Sequence, residues 1–152
     1  MSARDVRTRN ATPADSAAIA SLLGQLGYPT DEKEIPQRLA NVVGRGGAVV
    51  LAVDDTDTPL GLISLTIHSG LHSSSPTAYI MALVIDDHAR GMGVGKTLVN
   101  YARKWGIDNG CEHINVTSAE HRAGAHAFYP AVGMPYTGRR FSALLPRDDS
   151  NA

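Results

Sequence analysis

Apolar positions recur along this chain with two different periods, and each change of period marks an element boundary. Val6 to Arg9 predicts a short first strand. Thr12-Pro13-Ala14-Asp15 then reads as a helix start, with Thr12 at the N-cap, Pro13 at the first helical position and an acid in the first turn. Ala17, Ile19, Ala20, Leu22, Leu23 and Leu26 give that helix its apolar face, and Gly27 stops it. A second helix is predicted from about Glu32 to Val43, capped by Thr30 or Asp31, with Ile35, Leu39 and Val42 at helical spacing and Gly44 as its end.

The pattern then shortens. Ala48 to Val53 is almost wholly apolar, residues 54–59 form a polar turn, and Leu60 to His68 is a second apolar run, which together predict an antiparallel hairpin. Ser69 to Pro76 reads as a loop of the kind that carries specificity beside a rigid sheet. Ala78 to Ile85 is the next strand, and because Ile80 to Ile85 holds no charge it is predicted to be central and covered on both faces. Helical spacing returns at Val94, Leu98, Tyr101, Ala102 and Trp105 and ends at Gly110. His113 to Thr117 predicts a strand, Arg122 to Ala131 a helix, and Tyr136 to Leu145 a closing strand or hairpin around Thr137-Gly138. The tail from Pro146 is polar and expected to fray. No repeat or linker interrupts the pattern, so residues 1–152 are expected to form one domain of α/β (α+β) class with a mixed sheet.

Composition narrows the chemistry. With 152 residues, 43% apolar and 19% charged, the chain is large enough for a core without metal or disulfide staples. Cys111, the single cysteine, excludes an internal disulfide and any multi-cysteine metal site and suits a reducing, cytoplasmic setting. A formal net charge of −1 gives no electrostatic reason to bind nucleic acid. No stretch approaches the roughly 20 apolar residues that span a bilayer, so no membrane partner is expected. His121 and His126 stand near Glu120 but lack the H-E-x-x-H spacing, and no metal is expected.

The chemistry concentrates where the strand ending at Ile85 runs through Arg90-Gly91-Met92-Gly93-Val94-Gly95-Lys96-Thr97 into a helix. Glycines allow positive φ and close approach, and the first N–H groups of the helix point at negative charge, so this turn is an anion cradle. A nucleoside triphosphate loop would need glycine where Arg90 stands, and a dinucleotide turn would need a third glycine where Lys96 stands. Arg90 to Gly95 instead matches Arg/Gln-x-x-Gly-x-Gly/Ala. About forty residues on, Ala125-His126-Ala127-Phe128-Tyr129-Pro130-Ala131-Val132-Gly133-Met134 is similar to A-x-x-F-Y-x-x-x-G-F/Y. Both motifs, in this order, resemble those of the GNAT superfamily of N-acetyltransferases, and the resemblance extends over roughly residues 4 to 145.

That resemblance implies a three-layer fold with a mostly antiparallel sheet of six to seven strands and about four helices. It implies acetyl-CoA as co-substrate, with the pantetheine arm beside Leu83, Val84 and Ile85. The pyrophosphate would lie among Arg90, Gly91, Met92, Gly93, Val94, Gly95, Lys96 and Thr97. It also implies Tyr129 as a cofactor contact and as general acid for the departing thiolate. A phenol near pKa ~10 protonates a thiolate near ~8.5 only with help from its surroundings, and Pro130 puts Tyr129 at a kink or in the last helical turn. Many relatives have a glutamate base on the strand before the cradle, but Ile80-Met81-Ala82-Leu83 offers no carboxylate. His68, His72, Glu120, His121 and His126 are the alternatives, with His68 and Glu120 carried as catalytic candidates.

The expected reaction is direct attack of a primary amine on acetyl-CoA in a ternary complex. The acceptor is an amine of a small molecule or of a protein; no acidic cluster of the kind that suits a polycation is evident on the predicted acceptor side. A non-catalytic acyl-CoA-binding regulatory module is the alternative, and apolar Phe141, Ala143, Leu144 and Leu145 would permit a homodimer.

Overall fold

The computed structural model describes residues 5–117, 123–138 and 140–146. The chain divides into two compact units, Met1–Val116 and Thr117–Ala152. The first holds a five-stranded sheet in the order β1 (Arg7–Asn10), β2 (Ala48–Val53), β3 (Pro59–His68), β4 (Thr77–Ile85) and β5 (His113–Val116). The first four strands are antiparallel neighbours and β5 joins β4 in parallel. Helices α1 (Ser16–Leu26) and α2 (Ile35–Gly44) follow β1, and α3 (Val94–Asp108) connects β4 to β5, as a parallel pair requires.

Register decides which apolar residues meet which layer. Leu51 pairs with Leu62 and Leu62 with Val84, and these pack with Ile19, Leu22, Ile35 and Leu39 of α1 and α2. Val50, Ile63 and Leu83 share the opposite face, which α3 covers with buried Val94, Leu98, Val99 and Ala102. Leu51, Leu62, Ile63, Leu65 and Leu98 are fully buried, and each such side chain contributes roughly 1.5–3 kcal/mol of transfer free energy.

The helix starts follow the expected capping. Pro13–Asp15 and Glu32–Glu34 form single 3₁₀ turns ahead of α1 and α2. Thr12 donates its N–H to the Asp15 carboxylate at 2.8 Å, and Asp31 accepts the Lys33 N–H at 2.9 Å. Arg9 on β1 holds Asp15 through two parallel bonds of 2.9 Å and Asp57 through Nε at 2.8 Å, while Arg7 reaches the same Asp57 oxygen. These pairs tie β1, the start of α1 and the β2–β3 turn together. Within that turn the Asp54 carboxylate accepts the N–H groups of Thr56 and Thr58 and the Thr56 hydroxyl.

Two expectations need correction. The segment 136–138 and 140–145 forms no strand, so the described sheet has five strands rather than six to seven. Adjacent Leu144 and Leu145 break period-two alternation, and Pro135 and Pro146 withhold donors at either end; Phe141, Leu144 and Leu145 stand almost fully exposed. The uncharged run Ile80 to Ile85 is also not covered throughout. Met81 is 62% exposed, and Val84 alone of the last five residues is buried.

Candidate active site

The cradle begins where β4 ends. Asp86 donates its N–H to the Leu60 carbonyl at 2.8 Å, and its side chain accepts the His88 N–H at 2.9 Å, which starts a 3₁₀ turn over Asp87–Ala89. Ala89 is buried as an anchor. Arg90 is extended, Gly91 has φ +81°, and Gly93, with φ +78°, is the N-cap of α3. A side chain at either glycine would strain the left-handed backbone that aims this turn. The first bond of α3 is Thr97 N–H to Gly93 carbonyl at 3.0 Å, so the N–H groups of Val94, Gly95 and Lys96 lie ahead of the helical ladder. Buried Val94 and Gly95 fix the helix to the sheet, while Lys96 is exposed.

Two side chains near the turn already have protein partners. The Thr97 hydroxyl donates to the Gly93 carbonyl at 3.0 Å, so its donor is used inside the helix. Arg90 Nη2 lies 3.1 Å from Asp87 Oδ1, with both side chains about two-thirds exposed. The Asp87 N–H is in turn held by Gln25 Oε1 of α1 at 3.0 Å, a support that periodicity could not reveal.

The edge leading into the cradle is half open. β5 pairs with β4 from Thr77↔His113 to Ile80↔Val116, and the described ladder stops there. Across β3, Ser64 pairs with Ala82 and Leu65 with Ile80, so Met81 is the extra residue of a β-bulge. The bulge explains the continuous apolar run, because Ile80 before it and Leu83 after it face α3 although they are three positions apart, a spacing that in a regular strand puts side chains on opposite faces. From Met81 to Ile85, the side of β4 away from β3 presents alternate N–H and C=O groups. An extended polar chain can pair along that edge and end with a pyrophosphate on the glycines.

A pocket of about 310 Å³ lies on the sheet face opposite α3, at the other end of β4. Its strand positions are His68, Thr77, Tyr79, His113 and Asn115, and its loop positions include Gly70, His72, Ser73 and Ser75. His68 meets the Tyr79 ring edge to face at 4.8 Å and shares a 3.0 Å hydrogen bond with the Thr66 hydroxyl. The His72 ring folds over Gly70, where an added Cβ would fall 2.5 Å from Cε1 and displace the imidazole. Among the described residues, no three His, Cys, Asp or Glu side chains converge for a metal ion.

The predicted residues thus separate. Leu83, Val84 and Ile85 line the open edge, and Arg90 to Thr97 form the turn. His68 lies opposite Thr77, three ladder positions from Ile80, with His72 in the same pocket. Glu120 and His121 lie outside the described residues, as does the side chain of His126. Tyr129 belongs to the second unit, in α4 (Ala123–Ala131), half-buried and edge-on to Phe128 with centroids 5.2 Å apart. Gly133, at φ +86°, ends this helix: Gly133 N–H bonds the Pro130 carbonyl and Met134 N–H the Tyr129 carbonyl. Tyr129 therefore sits in the last turn, next to Pro130, which lies inside the helix and withholds an N–H from its ladder. Sequence reasoning missed Tyr79, His113 and Asn115; the only trace of the pocket is polar residues at period two on three separate strands.

Among the described residues no helix is long and apolar enough to cross a membrane. Residues 18–134 match the family described as Acetyltransferase (GNAT) family. The chain is 31% identical over 147 residues to an aminoglycoside N(6')-acetyltransferase type 1 of Stenotrophomonas maltophilia, covering 93% of this chain and 94% of that one. Its fold is similar to glucosamine-6-phosphate N-acetyltransferase of Arabidopsis thaliana, at 20% identity and TM-score 0.79 over 93% of this chain and 99% of that one. It is similar also to the acetyltransferase AAC(6')-Iy in complex with the bisubstrate analogue CoA-S-monomethyl-acetylneamine, at 20% identity and TM-score 0.77 with the same coverage. Because the family match spans the β4 edge, the glycine turn and α4 alike, this chain belongs to the GNAT family of acetyltransferases, whose general donor is acetyl-CoA.

Proposed function

We propose that this protein transfers the acetyl group of acetyl-CoA to the primary amine of a small molecule by direct attack in a ternary complex. One observation carries the reading: the side of β4 from Met81 to Ile85, unpaired among the described residues, runs directly into the glycine turn. Leu83, Val84 and Ile85 pair with the pantetheine amides, and a β4 N–H faces the thioester oxygen, where it stabilises the developing oxyanion. Arg90 and the N–H groups from Gly91 to Lys96 hold the pyrophosphate, with Met92 and Thr97 completing the turn.

The attacking ammonium first gives up a proton, the nitrogen then bonds to the acetyl carbon, and the C–S bond breaks as the CoA sulfur takes a proton. Tyr129 supplies that last proton. Its place in the last turn of α4 is compatible with a phenol presented at a helix end. His68 and Glu120 remain the candidates for the first proton. The curated relative, named for its action on an aminoglycoside, supports a small-molecule acceptor. The absence of a carboxylate along β4, Thr77 to Ile85, favours a second reading as an acyl-CoA-binding regulatory module.

Calorimetric titration with acetyl-CoA and CoA, run beside a thiol-release assay over a panel of amines, separates these readings. Micromolar binding with thiol release on one amine class is expected. Binding without release on any small amine favours the regulatory module or a protein acceptor. Gly93→Val is expected to weaken CoA by more than about tenfold, because a β-branched residue at φ +78° costs on the order of 1–2 kcal/mol and its side chain crowds the turn. Unaltered binding in that variant would refute the cradle.

A further inference from the structure

Among the described residues, the pocket at the far end of β4 is lined by imidazole, hydroxyl and amide groups and by no carboxylate. Three separate segments build it. His68 closes β3, Thr77 and Tyr79 open β4, and His113 and Asn115 open β5, all on one sheet face because Thr77 pairs with both His68 and His113. Tyr79 and Asn115 are opposite each other one position before Ile80↔Val116, the last pair before the open edge. The inner end of the pocket therefore abuts the fork where the described β4–β5 ladder ends, and its outer end, at His68, His72 and His113, lies about 7–10 Å away at 3.3 Å per residue.

We propose that this pocket receives the anionic group, a phosphate or a carboxylate, of a small acceptor amine whose nitrogen lies at the fork; the proposal rests on the acetyl-transfer reading above. A neutral imidazole offers one N–H donor and a protonated one offers two, while a carboxylate offers none, so His68, His72 and His113 with Ser73 and Asn115 suit an oxyanion. A polycationic acceptor would surrender the hydration of several ammonium groups and find no lining carboxylate to replace it. Glu112 precedes His113 but is exposed and does not line the pocket. A volume of about 310 Å³ stands at the lower end of ligand cavities and suits one sugar ring rather than several.

Four acceptors that differ in charge test the assignment: glucosamine, its 6-phosphate, its 6-carboxylate 2-amino-2-deoxyglucuronate, and neamine. With acetyl-CoA saturating, kcat/KM for the 6-phosphate or the 6-carboxylate is expected to exceed that for glucosamine by about tenfold or more, with neamine poorest. Whichever of the two wins names the anion. In His72→Asn and His113→Asn the ratio of anionic to neutral acceptor is expected to fall toward one. Histidine ring resonances of the CoA-saturated protein, assigned by single variants, provide a readout independent of turnover. Those of His72 and His113 should shift with the anionic amine and not with glucosamine. Thiol release without such shifts, a ratio near one in the unaltered protein, or a preference for neamine overturns the pocket assignment and leaves acetyl transfer standing. Shifts without thiol release from any of the four overturn acetyl transfer to such small amines and leave an anion site.

Discussion

Arg90 and Asp87 form an ion pair across the entrance of the glycine turn, with 3.1 Å between Nη2 and Oδ1 and both side chains about two-thirds exposed. An incoming pyrophosphate competes with Asp87 for the guanidinium and also meets the negative charge of Asp87. The pair is exposed, so its worth is at most about 1 kcal/mol. Asp87→Asn is therefore expected to tighten CoA binding roughly two- to fivefold at low salt, and the gain should vanish near 1 M salt, where the Debye length is about 3 Å. Arg90→Ala should weaken CoA. Calorimetry at two ionic strengths checks both; weaker binding in Asp87→Asn would mean that the pair positions Arg90 rather than restrains it.

Gly61 lies opposite Ile85, where the sheet meets the start of α3. A Cβ there would fall 3.0 Å from the Val84 carbonyl oxygen, 3.0 Å from Val94 Cγ1 and 3.2 Å from Leu98 Cδ1. Gly61→Ala is expected to push the head of α3 outward, costing about 1–3 kcal/mol of stability and weakening CoA from beneath the cradle. Gly24 in α1, whose added Cβ would meet nothing within 4 Å, is the control: Gly24→Ala should be stabilising by about 0.5–1 kcal/mol and leave CoA binding unchanged. Urea melts and CoA titrations of the two variants side by side decide the matter.

Tyr129→Phe keeps the ring that packs against Phe128 and removes only the hydroxyl. If the phenol protonates the leaving thiolate, kcat falls by about 10²-fold or more while the CoA dissociation constant stays within about twofold. An undiminished kcat would make Phe128 and Tyr129 packing aromatics and remove Tyr129 from the mechanism.

Acid should loosen the β1 end of the sheet. Bonds from Arg9 hold the Asp15 and Asp57 carboxyls below their ordinary range, bonds from Thr56 and Thr58 do the same for Asp54, and the Arg9 guanidinium is raised by its two acids. A carboxyl depressed on folding contributes stability that is fully present above its unfolded value near ~3.9 and is lost as pH falls through the lower folded value. The thermal midpoint is therefore expected to fall steeply below about pH 4. Arg9→Met should flatten that slope, and Asp15→Ala should lose about 1 kcal/mol at neutral pH with its Thr12 cap. An acid slope unchanged in Arg9→Met would remove this network as its cause.

The conformation of the candidate glycine turn was legible in the sequence because its determinants are local. Gly91 and Gly93 stand where positive φ is needed, and Arg90 and Lys96 flank them. Thr12, Asp31 and Gly27 mark helix ends through bonds to residues only a few positions away. The strand expected between residues 136 and 145 fails because apolar content alone does not specify pairing, and Phe141 and Leu144 stand exposed. His68 and His72 were chosen singly as proton acceptors; the structure sets them in one pocket with His113.

The sequence by itself determined the order of helices and strands from β1 to α4, the glycine turn between β4 and α3, and through its two motifs the family. These follow from backbone conformation, capping and apolar period, which each residue shares with neighbours fewer than about ten positions away. Only the tertiary structure decided that Met81 bulges, that β5 stops opposite Ile80, and that His68, Thr77 and His113 stand side by side. Those facts depend on the register between strands distant in the chain. Register is set by how whole faces pack on α1, α2 and α3, and a shift of one residue would turn every side chain of a strand to the other face.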